Sequence, residues 1–128
     1  MRIGLDHAHL FASDVAATVA FFRDMFDATV VWDEEVAGAR NVRLRIGRAF
    51  LQLYDQPPPG ARGGAFHHLG IETDDLDALV ARMKARGFEF RNPVRDLPQF
   101  RYVMVAGPDD VLIELFECRD PARWGVER

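Results

Sequence analysis

The sequence predicts an α+β fold made of two tandem modules, each ordered as one strand, one helix and three further strands. The first observation is an internal repeat, in which His7 within residues 5–15 matches His68 within residues 66–76 at a spacing of 61 residues (68 − 7). The second is that hydrophobic periodicity alternates between strand and helix spacing in the same order in both halves. A duplicated module is therefore the expected architecture.

The repeat extends to the late strands of the two halves. Residues 50–54 align with residues 112–116, so that Glu114 follows Gln52 by 62 residues (114 − 52). Each half thus offers one histidine early and one oxygen-bearing side chain late. Together they make a set of four potential metal ligands.

The first module is predicted from local patterns. Residues 3–11 alternate as a short strand, and Ser13 or Asp14 can cap the following helix. The apolar residues of that helix form one stripe, which needs a sheet to cover it. They are Val15, Val19, Phe22 and Phe26. Strand-forming residues and strict alternation predict three more strands, at residues 29–32, 42–46 and 49–54.

The two-residue period also assigns faces to these strands. If the aliphatic face that carries Leu51 and Leu53 meets the helix, the alternate residues project from the opposite face. The residues expected on that opposite face together with His7 are Arg43, Arg45, Gln52 and Tyr54.

The second module repeats this order. Residues 66–73 are predicted as a strand and residues 75–86 as a helix, with Gly87 at the position where a helix often stops. The apolar stripe of this helix consists of Leu76, Leu79, Val80 and Met83. Further strands are expected at residues 88–94, 100–106 and 111–117. A turn over residues 107–110 leads into the last strand.

We expect a single domain over residues 1–128, a length that can bury roughly two thirds of the surface of the unfolded chain. Its parts are module 1 at about 3–55, a linker rich in proline and glycine at about 56–65, module 2 at about 66–118 and a C-terminal tail at 119–128 without firm structure.

Composition excludes several classes of protein. The net charge of −4 gives no electrostatic footprint for nucleic acid. No apolar run approaches the roughly twenty residues of a membrane span, and the N-terminus turns polar too early for a signal peptide. Cys118 is the only cysteine, which excludes an internal disulfide framework. We therefore expect a cytoplasmic protein that binds neither nucleic acid nor membranes.

Imidazole nitrogen combined with carboxylate or amide oxygen suits a divalent metal that keeps a position open for substrate or water. Taken alone, each of the four potential ligands in the repeat is more typical of an ordinary packed or surface residue than of a metal ligand. Glu114 differs, because a carboxylate in the apolar run 111–116 is costly to bury without a cation. We predict one divalent ion, with Ni, Co, Zn, Mn and Fe(II) left open. The predicted ligands are His7, Gln52, His68 and Glu114.

Further residues are candidates for the wall of a substrate pocket. His9 shares the face of His7, and Glu72 shares that of His68, where it is either a second base or part of an ion pair. Arg43 and Arg45 either neutralise an anionic substrate or face solvent. His67 has the opposite parity and is expected to be packed or at the surface. The pocket candidates are His9, Arg43, Arg45, Phe50, Tyr54, Glu72, Tyr102 and Met104.

With these residues in view, the chain resembles the vicinal oxygen chelate superfamily, which includes glyoxalases, bleomycin resistance proteins and extradiol dioxygenases. The resemblance implies a glyoxalase-like fold, in which tandem modules form a cup-shaped mixed sheet around a metal, with helices on the outer face. It also implies a homodimer, with each cup built from one chain or shared between two. The matching motifs are residues 5–7, 13–15, 67–76, 107–109 and 113–115.

The four-ligand set looks most like that of methylmalonyl-CoA epimerase and is close to that of glyoxalase I. The resemblance then implies a lyase or isomerase, in which the metal holds an enediolate-like oxygen while a base moves a proton α to a carbonyl. Glu114 is the expected base as well as a ligand, and Glu72 is the second choice. Phe21 and Phe22 stand where the family has Phe-Tyr, and no residues indicate a grip on glutathione or coenzyme A. The substrate is therefore left open.

Two other functions stay open at this point. An extradiol dioxygenase uses two histidines and one glutamate around Fe(II), and in that case Gln52 would not bind the metal. A protein of the bleomycin resistance type would sequester a drug without catalysis.

Overall fold

The structure is a computed structural model that describes residues 1–2, 5–36, 38–60, 66–122 and 125. It divides into two compact units, Met1–Gly64 and Ala65–Arg128. The prediction that both belong to one domain stays a prediction. Parts of the predicted first strand, linker and tail lie outside the described residues, namely 3–4, 61–65, 123–124 and 126–128.

The first unit contains one helix and a four-stranded mixed sheet in the order β1-β4-β3-β2. Strand β1 pairs with β4 in parallel, whereas the β4–β3 and β3–β2 pairs are antiparallel. The elements are β1 (His7–Ala12), α1 (Val15–Phe26), β2 (Thr29–Val36), β3 (Ala39–Ile46) and β4 (Ala49–Asp55).

The second unit repeats this topology, with the sheet order β5-β8-β7-β6 and a parallel pair between β5 and β8. A short 3₁₀ turn, Pro108–Asp110, precedes the last strand. The elements are β5 (Leu69–Glu72), α2 (Leu76–Ala85), β6 (Arg95–Asp96), β7 (Phe100–Ala106) and β8 (Leu112–Cys118). The predicted α+β class and the two tandem modules are therefore confirmed.

In the first unit, α1 packs on β3 and β4 through the predicted aliphatic face. Leu51 and Leu53 are buried in β4, and Phe22 is fully buried in the helix. Val19 is only half-buried, whereas Thr18 is buried, so the stripe lies slightly to one side of the predicted one. Because this face is filled, the alternate residues of the same strands must project from the other face.

In the second unit, α2 packs on β8 in the same way, and the central strands are buried on that face. The helix contributes Leu76, Leu79 and Met83, while Val80 is half-buried. Gly87 follows the helix with φ +89°, the left-handed conformation expected of a terminating glycine. No helix of the described residues has the length and apolar character needed to cross a membrane.

The strand predicted at residues 88–94 is wrong, since the third strand of this unit is only β6, Arg95–Asp96. The backbone N–H of Phe88 donates to Met83 O and closes the end of the helix instead. The side chain of Asn92 donates to the β7 carbonyl of Met104 at 3.3 Å, and Pro93 has no N–H for a ladder. The predicted strand at 66–73 is also shorter, so that His68 lies just before β5.

Each helix is capped by an aspartate at its start. Asp14 accepts a hydrogen bond from the Ala17 N–H at 3.0 Å, and Asp75 accepts one from the Ala78 N–H at 2.9 Å. The capping aspartates are themselves related by the internal repeat. Each cap fixes where the helix leaves the first strand of its module.

Replacing the cap of α2 by alanine tests its contribution to stability. Asp75→Ala should lower the free energy of unfolding by about 1 kcal/mol, because the Ala78 N–H loses its acceptor. Asp75→Ser is the control and should retain most of the stability. Urea denaturation followed by circular dichroism measures both, and an alanine variant as stable as the wild type would contradict the assigned cap.

Candidate functional site

The sheet of the first unit presents the predicted polar face on the side away from α1. His9 lies opposite Gln52 in the parallel β1–β4 pair, and Arg43 lies opposite Gln52 on its other side. His7 and Phe50 form the neighbouring pair. Residues in register across a sheet project from the same face, so the predicted grouping is confirmed. That face also carries Phe11, Arg45 and Tyr54.

A hydrogen-bonded network joins three residues of this face, His7, Arg43 and Gln52, to Asp6, which precedes β1. Arg43 Nη1 donates to Asp6 Oδ2 at 2.8 Å and Arg43 Nη2 donates to Asp6 Oδ1 at 3.1 Å, which is a bidentate ion pair. Arg43 Nη1 also donates to Gln52 Oε1 at 2.5 Å. His7 Nδ1 lies 2.8 Å from Asp6 Oδ2. The two predicted ligands of this unit are therefore linked through one carboxylate and one guanidinium.

The charges of this network are matched. The Arg43 guanidinium, followed by the contact with His7, lowers the pKa of Asp6 from 3.8 to about 2. The Asp6 carboxylate in turn raises the pKa of Arg43. The Arg43 side chain is only 14% exposed and its guanidinium carbon lies 3.9 Å from the centre of the Phe50 ring. The pair is ionised and held in place at neutral pH.

His9 belongs to this face but makes different contacts. Its ring stacks on Tyr54 with centroids 3.8 Å apart, and its Nε2 is buried without a hydrogen-bond partner in the described part of the chain. Burial, followed by the charge of His7, lowers the pKa of His9. The ring is therefore half-buried on this face, and the role of His9 as a pocket residue stays a prediction.

The second unit brings its two predicted ligands together. His68 Nε2 lies 4.0 Å from Glu114 Oε2, and both side chains are partly buried, at 33% and 26% exposure. Glu114 lies between Gly70 of β5 and Met104 of β7 in the sheet. A histidine and a carboxylate at this distance form a natural pair of ligands for one cation.

The two units place their donors at equivalent positions. His7 stands two residues before the partner of Gln52 in the parallel strand pair, and His68 stands two residues before the partner of Glu114. The internal repeat in the sequence is therefore a repeat of geometry. Each unit thus has one predicted imidazole ligand and one predicted oxygen ligand at matching positions.

Other predicted pocket residues of the second unit also follow the strand register. Tyr102 lies opposite Phe116 and Met104 opposite Glu114, on the face of the carboxylate. Glu72 ends β5 opposite Phe116 and is exposed. His67 is exposed, and its Nδ1 lies 2.7 Å from Nδ1 of His68, so it is a neighbour of a predicted ligand rather than an isolated surface residue.

A cavity of about 630 Å³ lies within the second unit beside this face. Its size is in the range of small-molecule sites. Sequence reasoning had named Tyr102 and Met104 among its lining residues and missed the segment from Asn92 to Leu97. The lining residues are Asn92, Pro93, Val94, Arg95, Asp96, Leu97, Tyr102, Val103 and Met104.

Within either unit, the described residues bring no three His, Cys, Asp or Glu side chains close enough together to hold a metal. One unit alone therefore provides two donors of the predicted kind. The residue types nevertheless fit a divalent ion, because each unit has one imidazole and one amide or carboxylate oxygen among its predicted ligands.

Asp6 is the residue of this site that sequence reasoning missed. The available signal for Asp6 was its position, because it directly precedes the predicted ligand His7 and aligns with His67 in the repeat. Its pairing with Arg43 joins residues 37 positions apart in the chain, and no local pattern encodes such a contact.

Comparison with protein families gives one match over most of the chain. The family model described as the Glyoxalase/Bleomycin resistance protein/Dioxygenase superfamily matches residues 4–115. A comparison with curated proteins finds no match.

Solved structures show the same fold at low sequence identity. The fosfomycin resistance protein FosX of Listeria monocytogenes, in complex with Mn(II) and sulfate, superposes with a TM-score of 0.75 at 22% identity, covering 98% of each chain. An antibiotic binding protein from Streptomyces sp. CB03234 gives 0.74 at 24%, covering 92% of this chain and 98% of that one. A lactoylglutathione lyase from Agrobacterium tumefaciens gives 0.67 at 22%, covering 89% and 92%.

The Asp6–Arg43 pair predicts an unusual acid titration. Because the pKa of Asp6 is lowered, the pair contributes stability above pH 3.8 that is lost as the pH falls toward 2. In Arg43→Met, the titration midpoint of the Asp6 carboxyl should rise toward 3.8. Carboxyl ¹³C NMR measures both midpoints.

Asp33 is the internal control for this titration, since Arg40 lowers its pKa in the same unit. Its midpoint should not change in Arg43→Met. An Asp6 midpoint near 3.8 in the wild-type protein would contradict the ion pair.

Proposed function

The chain belongs to the glyoxalase/bleomycin resistance protein/dioxygenase superfamily, and from that premise we propose that it is a divalent-metal-dependent enzyme that moves a proton α to a carbonyl group. The observation that carries the proposal is the duplicated placement of one histidine and one oxygen donor at the same register in both sheets. Duplicated donors of complementary type are what a shared metal shell requires.

The proposed ligands are His7, Gln52, His68 and Glu114. Two neutral imidazoles, one amide and one carboxylate would leave one net positive charge on a divalent ion. Such an ion supplies Lewis-acid polarisation of a substrate oxygen. FosX of Listeria monocytogenes is a family precedent for Mn(II) on this fold. We leave the identity of the ion among Ni, Co, Zn, Mn and Fe(II).

Glu114 is the proposed base. Its side chain is 26% exposed, and the adjacent strand residues Ile113 and Leu115 are fully buried on the opposite face. A carboxylate in such a strand is shielded from bulk water, and it is within reach of a group bound near His68. Glu72 is the second choice, because it projects from the same face but is exposed at the end of β5.

The reaction classes that fit this arrangement are those of a glyoxalase I-like lyase or an epimerase-like isomerase. The lactoylglutathione lyase of Agrobacterium tumefaciens shares the fold and supports the first class as a candidate. We propose that the substrate occupies the cavity beside Tyr102 and Met104, because this cavity adjoins the row of Glu114.

An Fe(II) extradiol dioxygenase is the second candidate, and one observation favours it. Gln52 Oε1 accepts a short hydrogen bond from Arg43, and if this contact replaces a metal bond instead of orienting Gln52 toward the metal, the shell is reduced to His7, His68 and Glu114. A non-catalytic drug-binding protein is the third, with the Streptomyces antibiotic binding protein as its precedent of fold. Drug binding that persists in the presence of a chelator would indicate this third function.

We also propose a cytoplasmic homodimer. The family resemblance supports the dimer, and the single, buried Cys118 suits a protein that forms no disulfide in a reducing compartment. The proposed partner is a small-molecule substrate.

The proposed shell predicts metal binding with one ion per chain. His7→Ala, His68→Ala and Glu114→Ala should each weaken binding by more than the roughly 10- to 100-fold that loss of an outer hydrogen-bond partner costs. Isothermal titration with Mn(II), Ni(II), Co(II) and Zn(II) measures this. Glu89→Ala, an exposed glutamate of the second unit, is the matched control and should bind as the wild type does. Wild-type affinity in His68→Ala would reject the shell.

A substrate panel separates the reaction classes. Metal-loaded protein should convert hemithioacetals or acyl-CoA epimers, and in deuterated water the α position should gain deuterium. Glu114→Gln should abolish this exchange. Oxygen uptake with catechols after anaerobic loading with Fe(II), without exchange on the carbonyl substrates, would replace the lyase or isomerase by the dioxygenase.

A further inference from the structure

The contact between Asp6 and His7 fixes where the proton of the imidazole lies. The Asp6 carboxylate forms a bidentate ion pair with Arg43 and can only accept hydrogen bonds, and its Oδ2 lies 2.8 Å from His7 Nδ1. The hydrogen must therefore be on Nδ1. In a neutral ring the lone pair is then on Nε2, which makes Nε2 the donor atom available to a metal.

Arg43 holds the Asp6 carboxylate in the position that this contact needs. Its two Nη atoms bind the two Asp6 oxygens at 2.8 and 3.1 Å, and its planar group lies over the Phe50 ring. The bidentate geometry leaves the carboxylate little freedom to rotate. Asp6 itself is exposed, so without Arg43 its side chain would be free to turn into solvent.

Arg43 also decides the orientation of the Gln52 amide. A guanidinium has donors and no acceptor, so the group it meets at 2.5 Å must be the oxygen Oε1 and not the amide nitrogen. The carbonyl oxygen has a second lone pair that stays available. The Gln52 amide is thereby held in one orientation, with its oxygen, the atom that can bind a metal, next to Arg43.

The net charge of the pair matters as much as its geometry. A guanidinium next to Gln52 would repel a metal ion, but the Asp6 carboxylate cancels its charge at short range. The Asp6–Arg43 pair thus positions two donors without adding net positive charge to the site.

The second unit contains no counterpart of this pair among the described residues. Met104 takes the register position of Arg43, and His67 aligns with Asp6 in the repeat. The module whose oxygen donor is a neutral amide has the neutral ion pair. The module whose donor is the charged Glu114 has neither Asp6 nor Arg43.

We propose that Asp6 and Arg43 are positioning residues for the metal: Asp6 holds His7 as the Nδ1–H tautomer, and Arg43 fixes both Asp6 and the Gln52 oxygen. The tautomer part depends on the first unit alone. The metal part rests on the proposed function.

The tautomer is tested in metal-free protein by long-range ¹H–¹⁵N NMR of the histidine rings in mildly alkaline buffer, with His7 assigned by comparison with His7→Ala. Wild-type His7 should show a protonated Nδ1 and a bare Nε2. In Asp6→Ala the proton should move to Nε2, whereas Asp6→Asn should keep it on Nδ1, because the amide oxygen still accepts. A wild-type ring protonated on Nε2 overturns the proposal.

The metal part is tested by titration of the same variants with Mn(II). Asp6→Ala should weaken binding by about 10- to 100-fold, the range found for outer partners of ligand histidines. The affinity of Asp6→Asn should lie between those of Asp6→Ala and the wild type, because Asp6→Asn keeps the tautomer but no longer cancels the charge of Arg43. Unchanged affinity in Asp6→Ala overturns the metal part.

Asp33→Ala is the matched control, since Asp33 and Arg40 form a similar bidentate pair on the edge strand, at 3.0 and 2.9 Å. It should change neither the His7 tautomer nor the metal affinity, and a loss of affinity equal to that of Asp6→Ala overturns the specific role of Asp6. If the wild-type protein binds no divalent ion, the proposed function fails together with the metal part. The NMR result then still decides the tautomer part.

Discussion

In each half of the chain one helix covers one face of a four-stranded sheet, and this single packing constraint determines where the polar side chains go. Because successive strand residues project to opposite faces, burying Leu51 and Leu53 against α1 directs Gln52 to the other face. Burying Ile113 and Leu115 against α2 does the same for Glu114. A shift of one residue in either strand would turn its buried aliphatic residues outward and bring Gln52 or Glu114 into the core. The hydrophobic packing therefore also determines the face on which these polar residues lie.

The duplication accounts for the matched positions of the proposed ligands, and it also shows where the two halves differ. Both modules retain a histidine two residues before the strand position opposite the oxygen donor. They differ in the residue beside that donor, which is Arg43 in one module and Met104 in the other. A charged neighbour requires a counterion, and Asp6 provides it. The asymmetry between an amide and a carboxylate donor is thus accompanied by an asymmetry in the surrounding charges.

Much of the fold could be predicted because its signals are local. Helix stripes, capping aspartates and the alternation in β3, β4 and β8 depend on neighbours within a few residues. The strand predicted at 88–94 failed because its apolar residues look like a strand, while Asn92 and Pro93 prevent backbone pairing with β7. The repeat in the sequence brought out the four proposed ligands, and their role in binding a metal stays a prediction. The Asp6–Arg43 pair could not be predicted, because it depends on side chains brought together only by the sheet.

The central proposal is that His7 and Gln52 of one unit and His68 and Glu114 of the other bind one metal ion. Stepwise addition of Mn(II) to histidine-labelled protein, followed by paramagnetic broadening of the ring signals, measures it most directly. The ring signals of His7 and His68 should broaden together, and the broadening should be complete at one ion per chain. Broadening of one ring without the other, or of both only at large metal excess, would contradict it.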